Sequence, residues 1–174
     1  MRLPFFRWHR FRPSTKVARL VTNGTEPAPL PLAPQPHDLI DVVGVGATEN
    51  VAGVALTLMS LERYREGHIA LFRLLRPRGR FEREFPSPRL EIAVIPEGTI
   101  PYRFWMRGGS GGGMRELEYR QSYAIVPAPS TDAAEIVIEV SEISWERWYG
   151  AGTRKVVSVD AGPWRFTVRL PPTA

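Results

Sequence analysis

The sequence predicts an all-β fold: an antiparallel β-sandwich of immunoglobulin-like type with about nine strands, behind an extended N-terminal arm rich in arginine and proline. Apolar and polar residues alternate without exception over residues 164–170 and in several earlier segments, which is typical of antiparallel strands with one face in water. These segments recur about every dozen residues with glycine and proline between them, as in a sandwich. A closed barrel is the alternative. The 174 residues suffice for one core.

Residues 1–37 form the predicted arm. Its first part interleaves arginines with aromatic rings, and the residues that we expect to contact a partner are Arg2, Phe5, Phe6, Arg7, Trp8, Arg10, Phe11 and Arg12. Residues 13–22 have the apolar spacing of one short helix. The prolines of residues 26–36 favour an extended and stiff conformation, so this part is predicted to be a linker or an arm laid against another surface.

The positive charge of the chain is concentrated in this arm. Residues 1–37 contain six basic residues and one acidic residue, whereas residues 38–174 contain 17 of each. Arginine neutralises phosphate, and aromatic rings stack on bases or enter a membrane interface, but both also fit an acidic groove on a protein. The arm is therefore predicted to dock on a protein, with an inert tail and attachment to nucleic acid or an anionic membrane as alternatives.

Residues 38–174 are predicted to form a single domain. We expect strands at residues 39–45, 51–61, 68–75, 90–95, 99–106, 114–126, 134–145, 153–159 and 163–170. The apolar phase slips by one residue between Val140 and Ile143, which predicts a β-bulge that redirects the strand. The glycine-rich run 107–113 is followed by a strand and lacks the Lys-Ser/Thr of a phosphate loop, so a hairpin loop is expected there.

Residues that carry catalysis or bind metals are scarce. The chain has no cysteine, which excludes disulfides, thiolate metal sites and a cysteine nucleophile. His68 is the single histidine of the predicted domain, and this leaves little material for a serine triad or a histidine metal cage. The pairs Glu82/Glu84, Glu116/Glu118 and Glu135/Glu139 are expected to balance arginines on solvated faces rather than to form an acid–base pair. We therefore expect no catalytic residue, no metal, no cofactor and no enzymatic activity.

Three large aromatic residues lie close together in a predicted loop at residues 145–149. Strand alternation cannot bury Trp148 and Tyr149 on the same face, so at least one of the two rings should be exposed. Exposed aromatic rings bind sugars, proline or another protein. Trp145, Trp148 and Tyr149 therefore complete the predicted partner contacts.

Two short motifs resemble a known group of domains. Residues 162–168 read Gly-Pro-Trp-Arg-Phe-Thr-Val and follow an earlier strand with Leu-Glu-Arg-Tyr at residues 61–64. Over about residues 50–170, the chain resembles the immunoglobulin-like domains of unassigned function found in some bacterial envelope and anti-sigma-factor proteins. The resemblance implies a sandwich and brings no catalytic residues. Such proteins usually carry a transmembrane helix before the sandwich, where this chain has the arm.

Together these observations predict a non-enzymatic protein–protein interaction or structural module, a subunit of a larger assembly that docks through its arm. The first alternative is a sandwich that binds carbohydrate or another ligand through residues 145–149. The second is attachment to nucleic acid or an anionic membrane through the arm. The sequence shows no apolar run long enough for a transmembrane helix and no continuous apolar signal-peptide region, so a cytoplasmic location is favoured.

Overall fold

A computed structural model describes residues 37–77, 86–95, 101–113, 116–128, 134–149 and 153–172. The predicted arm contacts at residues 2–12, the predicted helix 13–22 and the predicted linker 26–36 lie outside these described residues. All described residues belong to one compact unit, Ala33–Ala174.

The described residues form two antiparallel sheets. The strands are β1 (Leu39–Val51), β2 (Val54–Tyr64), β3 (His68–Pro77), β4 (Ser87–Ile95), β5 (Arg103–Gly112), β6 (Glu116–Val126), β7 (Glu135–Tyr149) and β8 (Thr153–Arg169). One sheet has the order β1-β2-β3-β6-β5 and the other the order β4-β7-β8. The predicted all-β sandwich is confirmed, and the barrel alternative is wrong because the described strands form two separate sheets.

One predicted strand break is wrong, which leaves eight described strands instead of about nine. Residues 153–159 and 163–170 belong to the single strand β8, which pairs with β7 on both sides of Gly162 and Pro163. Proline lacks the N–H that a central strand needs, but β8 is the edge of its sheet and tolerates it. The register shift between Val140 and Glu142 absorbs the irregularity.

The predicted bulge in β7 is confirmed. Val140 pairs with Ile92, but Glu142 pairs with Glu91, so Ser141 is an extra residue between two consecutive residues of β4. Because of this extra residue, Val140 and Ile143 both face the core although three positions separate them. The one-residue slip in the alternation of apolar residues is thus caused by the bulge at Ser141.

The predicted glycine-rich loop is wrong, because residues 108–112 are part of the edge strand β5. A Cβ atom at Gly111 would lie 2.0 Å from the Cδ1 atom of Tyr119, whose ring covers the glycine in the cross-strand pair. Glycine is found in strands where another group approaches the backbone this closely. The glycine-rich run, which is typical of a loop, is therefore a strand in which Gly111 leaves room for the Tyr119 ring of β6.

The core lies between the sheets and is built from the inward-facing positions of each strand. Its largest fully buried side chains include Trp145, Trp164, Phe72 and Phe166. Indole N–H groups need a partner when buried, and that of Trp164 donates to the carbonyl oxygen of Val54 at 3.2 Å. In the part of the chain that the structure describes, no helix has the length and apolar character to span a membrane.

Candidate binding groove

The segment predicted as an aromatic loop, residues 145–149, is the end of strand β7. This prediction is wrong because the hairpin of β7 and β8 continues past Trp145, with Trp148 paired to Arg154 and Tyr149 to Thr153. Consecutive side chains of a strand point to opposite faces. The three rings therefore do not form one platform.

Trp145 is a core residue in this fold. Its side chain is fully buried, and its indole N–H donates to Oδ2 of Asp160 at 2.6 Å. The guanidinium carbon of Arg76 lies 4.4 Å from the centre of its ring, and the ring of Tyr119 packs at a centroid distance of 5.7 Å. These contacts remove Trp145 from the surface on which a partner would bind.

Trp148 and Tyr149 are both exposed, with 54% and 44% of their surface accessible. The guanidinium carbon of Arg154 lies 4.0 Å from the centre of the Trp148 ring, a cation–π contact that fixes the ring orientation. The prediction that at least one of the two rings is exposed is confirmed. Of the two rings, that of Trp148 lines a groove between the sheets.

A groove lies where β4, at the edge of one sheet, meets β5, at the edge of the other. We call it the β4–β5 groove. It has a volume of about 490 Å³, which is within the usual range for ligand sites. Its apolar lining includes Leu90, Ile92, Phe104, Trp105, Met106 and Trp148. The groove thus combines a rigid sheet framework with exposed aromatic surface.

Charged side chains occupy one part of this groove. Glu146 is buried, although it carries a carboxylate, and lies 3.4 Å from Nη1 of Arg154 and 3.9 Å from Nη1 of Arg89. The two arginines compensate the burial of that carboxylate. Glu91 also lines the groove, so its polar part presents two arginines and two glutamates.

The β4 wall of the groove is fastened to the other sheet by side chains of β6. The hydroxyl of Tyr119 donates to the carbonyl oxygen of Pro86 at 2.6 Å, and Nε2 of Gln121 donates to that of Pro88 at 2.7 Å. The backbone N–H of Leu90 donates to the hydroxyl oxygen of Tyr123 at 3.0 Å. Three alternate side chains of β6 therefore form hydrogen bonds with the backbone just before β4, at Pro86, and within it, at Pro88 and Leu90.

Burial sets the chemistry of Tyr123, which also lines the groove. Desolvation raises the pKa of Tyr123 to about 12. The phenol is therefore neutral at physiological pH and acts as a hydrogen-bonding group rather than as a base.

A second polar cluster lies at the other end of the five-stranded sheet. Nε of Arg63 donates to Oδ1 of Asp41 at 2.6 Å, Nη2 forms an ion pair with Oδ2 of the same carboxylate, and Nη1 donates to the carbonyl oxygen of Pro171 at 3.0 Å. The hydrogen bond from Arg63 lowers the pKa of Asp41, and the same bond raises the pKa of Arg63. Desolvation lowers the pKa of His68, which is the cross-strand neighbour of Arg63.

The predicted role of the carboxylate pairs is confirmed where the structure describes their contacts. Nε of Arg73 donates to Oε1 of Glu118 at 2.9 Å, and this bond lowers the pKa of Glu118. Glu139 pairs with Arg165, and Glu135 lies 3.9 Å from Arg169. Among the described residues, no group of three or more histidine, aspartate or glutamate side chains could hold a metal ion.

Comparison with known proteins supports the fold alone. No protein-family model matches the chain, and no curated protein matches it. A solved structure, that of the conserved domain protein from Bacillus anthracis, is similar with a TM-score of 0.54 and 14% sequence identity. The match covers 75% of this chain and 49% of the other, so this chain spans about half the length of that structural neighbour. The immunoglobulin-like type and the likeness to envelope and anti-sigma-factor proteins stay predictions.

Sequence reasoning missed most of the groove. Phe104 and Met106 lie in a segment where a strand was expected, and Glu146 follows directly after a core tryptophan. Their local pattern is that of any half-buried strand. They become neighbours because β4 and β5 end their respective sheets, and no local pattern in the sequence encodes that strand order.

Proposed function

We propose that this protein is a non-enzymatic protein–protein interaction module, a subunit of a larger assembly, and that the β4–β5 groove is a partner-binding surface. The observation that carries the proposal is the exposed ring of Trp148, held by Arg154 at the rim of an aromatic groove. Tryptophan and arginine are the residues most often found to dominate binding energy at protein interfaces. The proposal thus gives a binding role to Trp148, which is an exposed member of the predicted aromatic cluster and lines the groove.

The composition of the groove supports this function. Trp148 and Met106 are each at least half exposed, yet both lie beside apolar side chains that could be covered together. Exposed apolar surface next to polar groups is typical of protein interaction sites. The walls are sheet strands, so a partner would meet a surface that needs little rearrangement.

The arm, residues 1–37, remains a second proposed docking element. Its support is the concentration of arginine and aromatic residues in the sequence. The eight contact residues proposed there lie outside the described residues, so this part of the proposal is carried by the sequence.

The test uses two neighbouring residues on opposite faces of β7. Partners are purified on the full-length protein, identified by mass spectrometry, and titrated against the Trp148→Ala and Tyr149→Ala variants. Trp148→Ala should weaken binding at the groove at least about tenfold, the loss expected at an interface hot spot. Tyr149→Ala is the matched control, because its side chain leaves the opposite face of the strand, and it should bind normally.

Two results would overturn the proposal. One is equal binding by both variants and the wild-type protein. The other is a robust hydrolytic or transfer activity of the purified protein that a single side-chain change abolishes. Both variants should keep the wild-type stability within about 0.5 kcal/mol, because exposed side chains contribute little to folding.

Carbohydrate binding is the second candidate function. The observation that favours it is that Trp105 and Trp148 both line the groove together with Glu91, since aromatic rings and carboxylates recognise sugars. A glycan array probed with the wild-type protein and Trp148→Ala should then show binding that the substitution removes. The absence of glycan binding, or binding that Trp148→Ala leaves unchanged, would exclude this candidate.

A further inference from the structure

The hairpin of β7 and β8 continues beyond the three-stranded part of its sheet. Among the described residues, the last pair between β4 and β7 joins Ser87 to Glu146, whereas β7 and β8 stay paired as far as Tyr149 and Thr153. We call residues 147–149 of β7 and 153–157 of β8 the hairpin end. Two described strands form it, where the middle of the sheet has three.

Exposed apolar side chains are concentrated at the hairpin end. Among the described residues, ten large hydrophobic side chains are exposed, and four of them lie here: Trp148, Tyr149, Val156 and Val157. Between 41% and 54% of the surface of each is accessible. A cluster of exposed apolar residues with polar neighbours is typical of a surface that binds a protein or a membrane.

Exposure on both faces of the hairpin end decides between these two partners. Trp148 and Tyr149 are consecutive residues of β7 and therefore point to opposite faces, yet both rings are exposed. A protein that packs on one face would leave the other ring in water, whereas the interface of a bilayer surrounds an inserted hairpin on both faces. Tryptophan and tyrosine are enriched at membrane interfaces, because the ring is apolar and its N–H or hydroxyl group stays hydrated.

The charge of the hairpin end fits the phosphate groups of lipids. Arg154 and Lys155 are exposed basic residues, and no acidic residue lies between Glu146 and Asp160 in the sequence. The Glu146 carboxylate is shared by Arg154 and Arg89, so one negative charge serves two guanidinium groups. Long basic side chains can lay their apolar stems along a membrane interface and keep the charged group beside the phosphates. A second copy of the chain would instead place like charges next to each other, which is unfavourable.

We propose that the hairpin end inserts into the interface of a lipid bilayer, with the rings of Trp148 and Tyr149 at the level of the headgroups and with Arg154 and Lys155 beside lipid phosphates. This inference goes beyond the proposed function, because the partner is lipid and not a protein. The apolar part of such binding depends little on salt, in contrast to attraction between distant exposed charges.

The experiment measures binding of the full-length protein to phosphatidylcholine vesicles by vesicle sedimentation at low and moderate salt. These vesicles carry no net charge, so they attract the basic arm only weakly. The variants are Trp148→Ala, Tyr149→Ala and their combination. Val42→Ala is the matched control, because it shortens an exposed apolar side chain of β1, away from the hairpin end. Trp148→Phe keeps a ring and removes the indole, whose fluorescence bromine-labelled lipid quenches.

We expect the wild-type protein to bind at both salt concentrations. Each alanine substitution of a ring should weaken the binding, and the combined variant should bind at least about tenfold more weakly, because both rings lose their apolar burial. Val42→Ala should bind like the wild-type protein. Trp148→Phe should retain binding and lose most of the quenching by lipid.

Several results would overturn the inference. They are the absence of binding to these vesicles, binding that the combined variant leaves unchanged, and quenching that persists in Trp148→Phe, which would place another tryptophan in the bilayer. Normal vesicle binding by Tyr149→Ala would also overturn it, because only one face would then contact the lipid.

These outcomes are separable from the test of the proposed function. Binding of a partner protein at the groove should depend on Trp148 and not on Tyr149, whereas vesicle binding should depend on both. Vesicle binding without a partner at the groove would retain membrane insertion and remove the groove interface. Partner binding without vesicle binding would do the reverse.

Discussion

At the scale of single residues, the surroundings of Arg63, Asp41 and His68 show how neighbouring strands determine ionisation. The side chain of Arg63 is almost fully buried, and the carboxylate of Asp41 satisfies it from the next strand. A buried guanidinium without its carboxylate partner is strongly unfavourable. The cluster therefore connects β1 to β2 and, through the carbonyl of Pro171, to the segment that follows β8.

His68 should make the stability of the fold depend on pH. Burial lowers its pKa below the ordinary value of 6.5, so the unfolded chain takes up the proton first as the pH falls. The neutral His68 side chain makes its full contribution to the free energy of unfolding above pH 6.5. This contribution is lost as the pH falls below that value, with a slope of at most about 1.4 kcal/mol per pH unit. Urea unfolding between about pH 8 and pH 5 should show this slope, and it should vanish in His68→Gln. A slope that persists unchanged in that variant would contradict the assignment, and His37→Gln serves as the control.

Gly111 should tolerate no side chain. In Gly111→Ala the new Cβ atom would overlap the Tyr119 ring, which its hydroxyl bond to Pro86 and its contact with Trp145 hold in place. The expected loss is about 1–3 kcal/mol in the free energy of unfolding, the usual effect of overpacking. Gly108→Ala, at an open position of the same strand, should change stability by no more than about 0.5 kcal/mol. Equal stability of the two variants would show that Tyr119 moves aside freely.

At the scale of elements, β6 connects the two sheets. Its outward positions carry ion pairs such as that between Glu118 and Arg73, whereas Tyr119, Gln121 and Tyr123 alternate with them and reach the backbone of β4. The side chains of β6 thereby provide hydrogen-bond partners on the side of β4 that has no neighbouring strand among those described. The groove keeps its shape because its β4 wall is fastened in this way.

Tyr123→Phe should weaken the attachment of β4 to β6. The substitution removes the acceptor of the Leu90 N–H and leaves a buried donor unpaired, which typically destabilises by about 1–3 kcal/mol. Tyr119→Phe removes a donor to the carbonyl of Pro86 and should have the smaller effect of about 0.5–1.5 kcal/mol. Denaturant unfolding of the two variants checks the order, and faster amide exchange at Leu90 in Tyr123→Phe checks the location. The reverse order of stability would contradict this account of the β4 edge.

At the scale of the whole molecule, charge and core are separated along the chain. The residues that form the core or pack against it run from Val43 to Leu170, whereas the excess positive charge lies in residues 1–37. Electrostatic binding to polyanions should therefore come from the arm and not from the sandwich.

A truncated chain that begins at Asp38 should keep the sandwich and lose salt-dependent binding to polyanions. Full-length and truncated proteins are titrated with single-stranded DNA and with anionic vesicles at low and moderate salt. The affinity of the full-length protein should fall steeply with salt, and replacement of Arg7, Arg10 and Arg12 by alanine should reproduce the truncation. Equal binding by both chains would place the electrostatic contact on the sandwich instead.

The alternation of side chains along the sequence predicts most of the strands, the single core and the bulge in β7, because alternation and its phase are local properties of the chain. It also determined that at least one ring of the pair Trp148 and Tyr149 is exposed, since neighbours in a strand face opposite ways. Three features are visible only in the folded chain: Trp145 is a core residue, the glycine-rich run is an edge strand, and β4 and β5 border a groove. These features depend on which distant strands become neighbours, and the pairing of distant strands leaves no periodic signal in either strand alone.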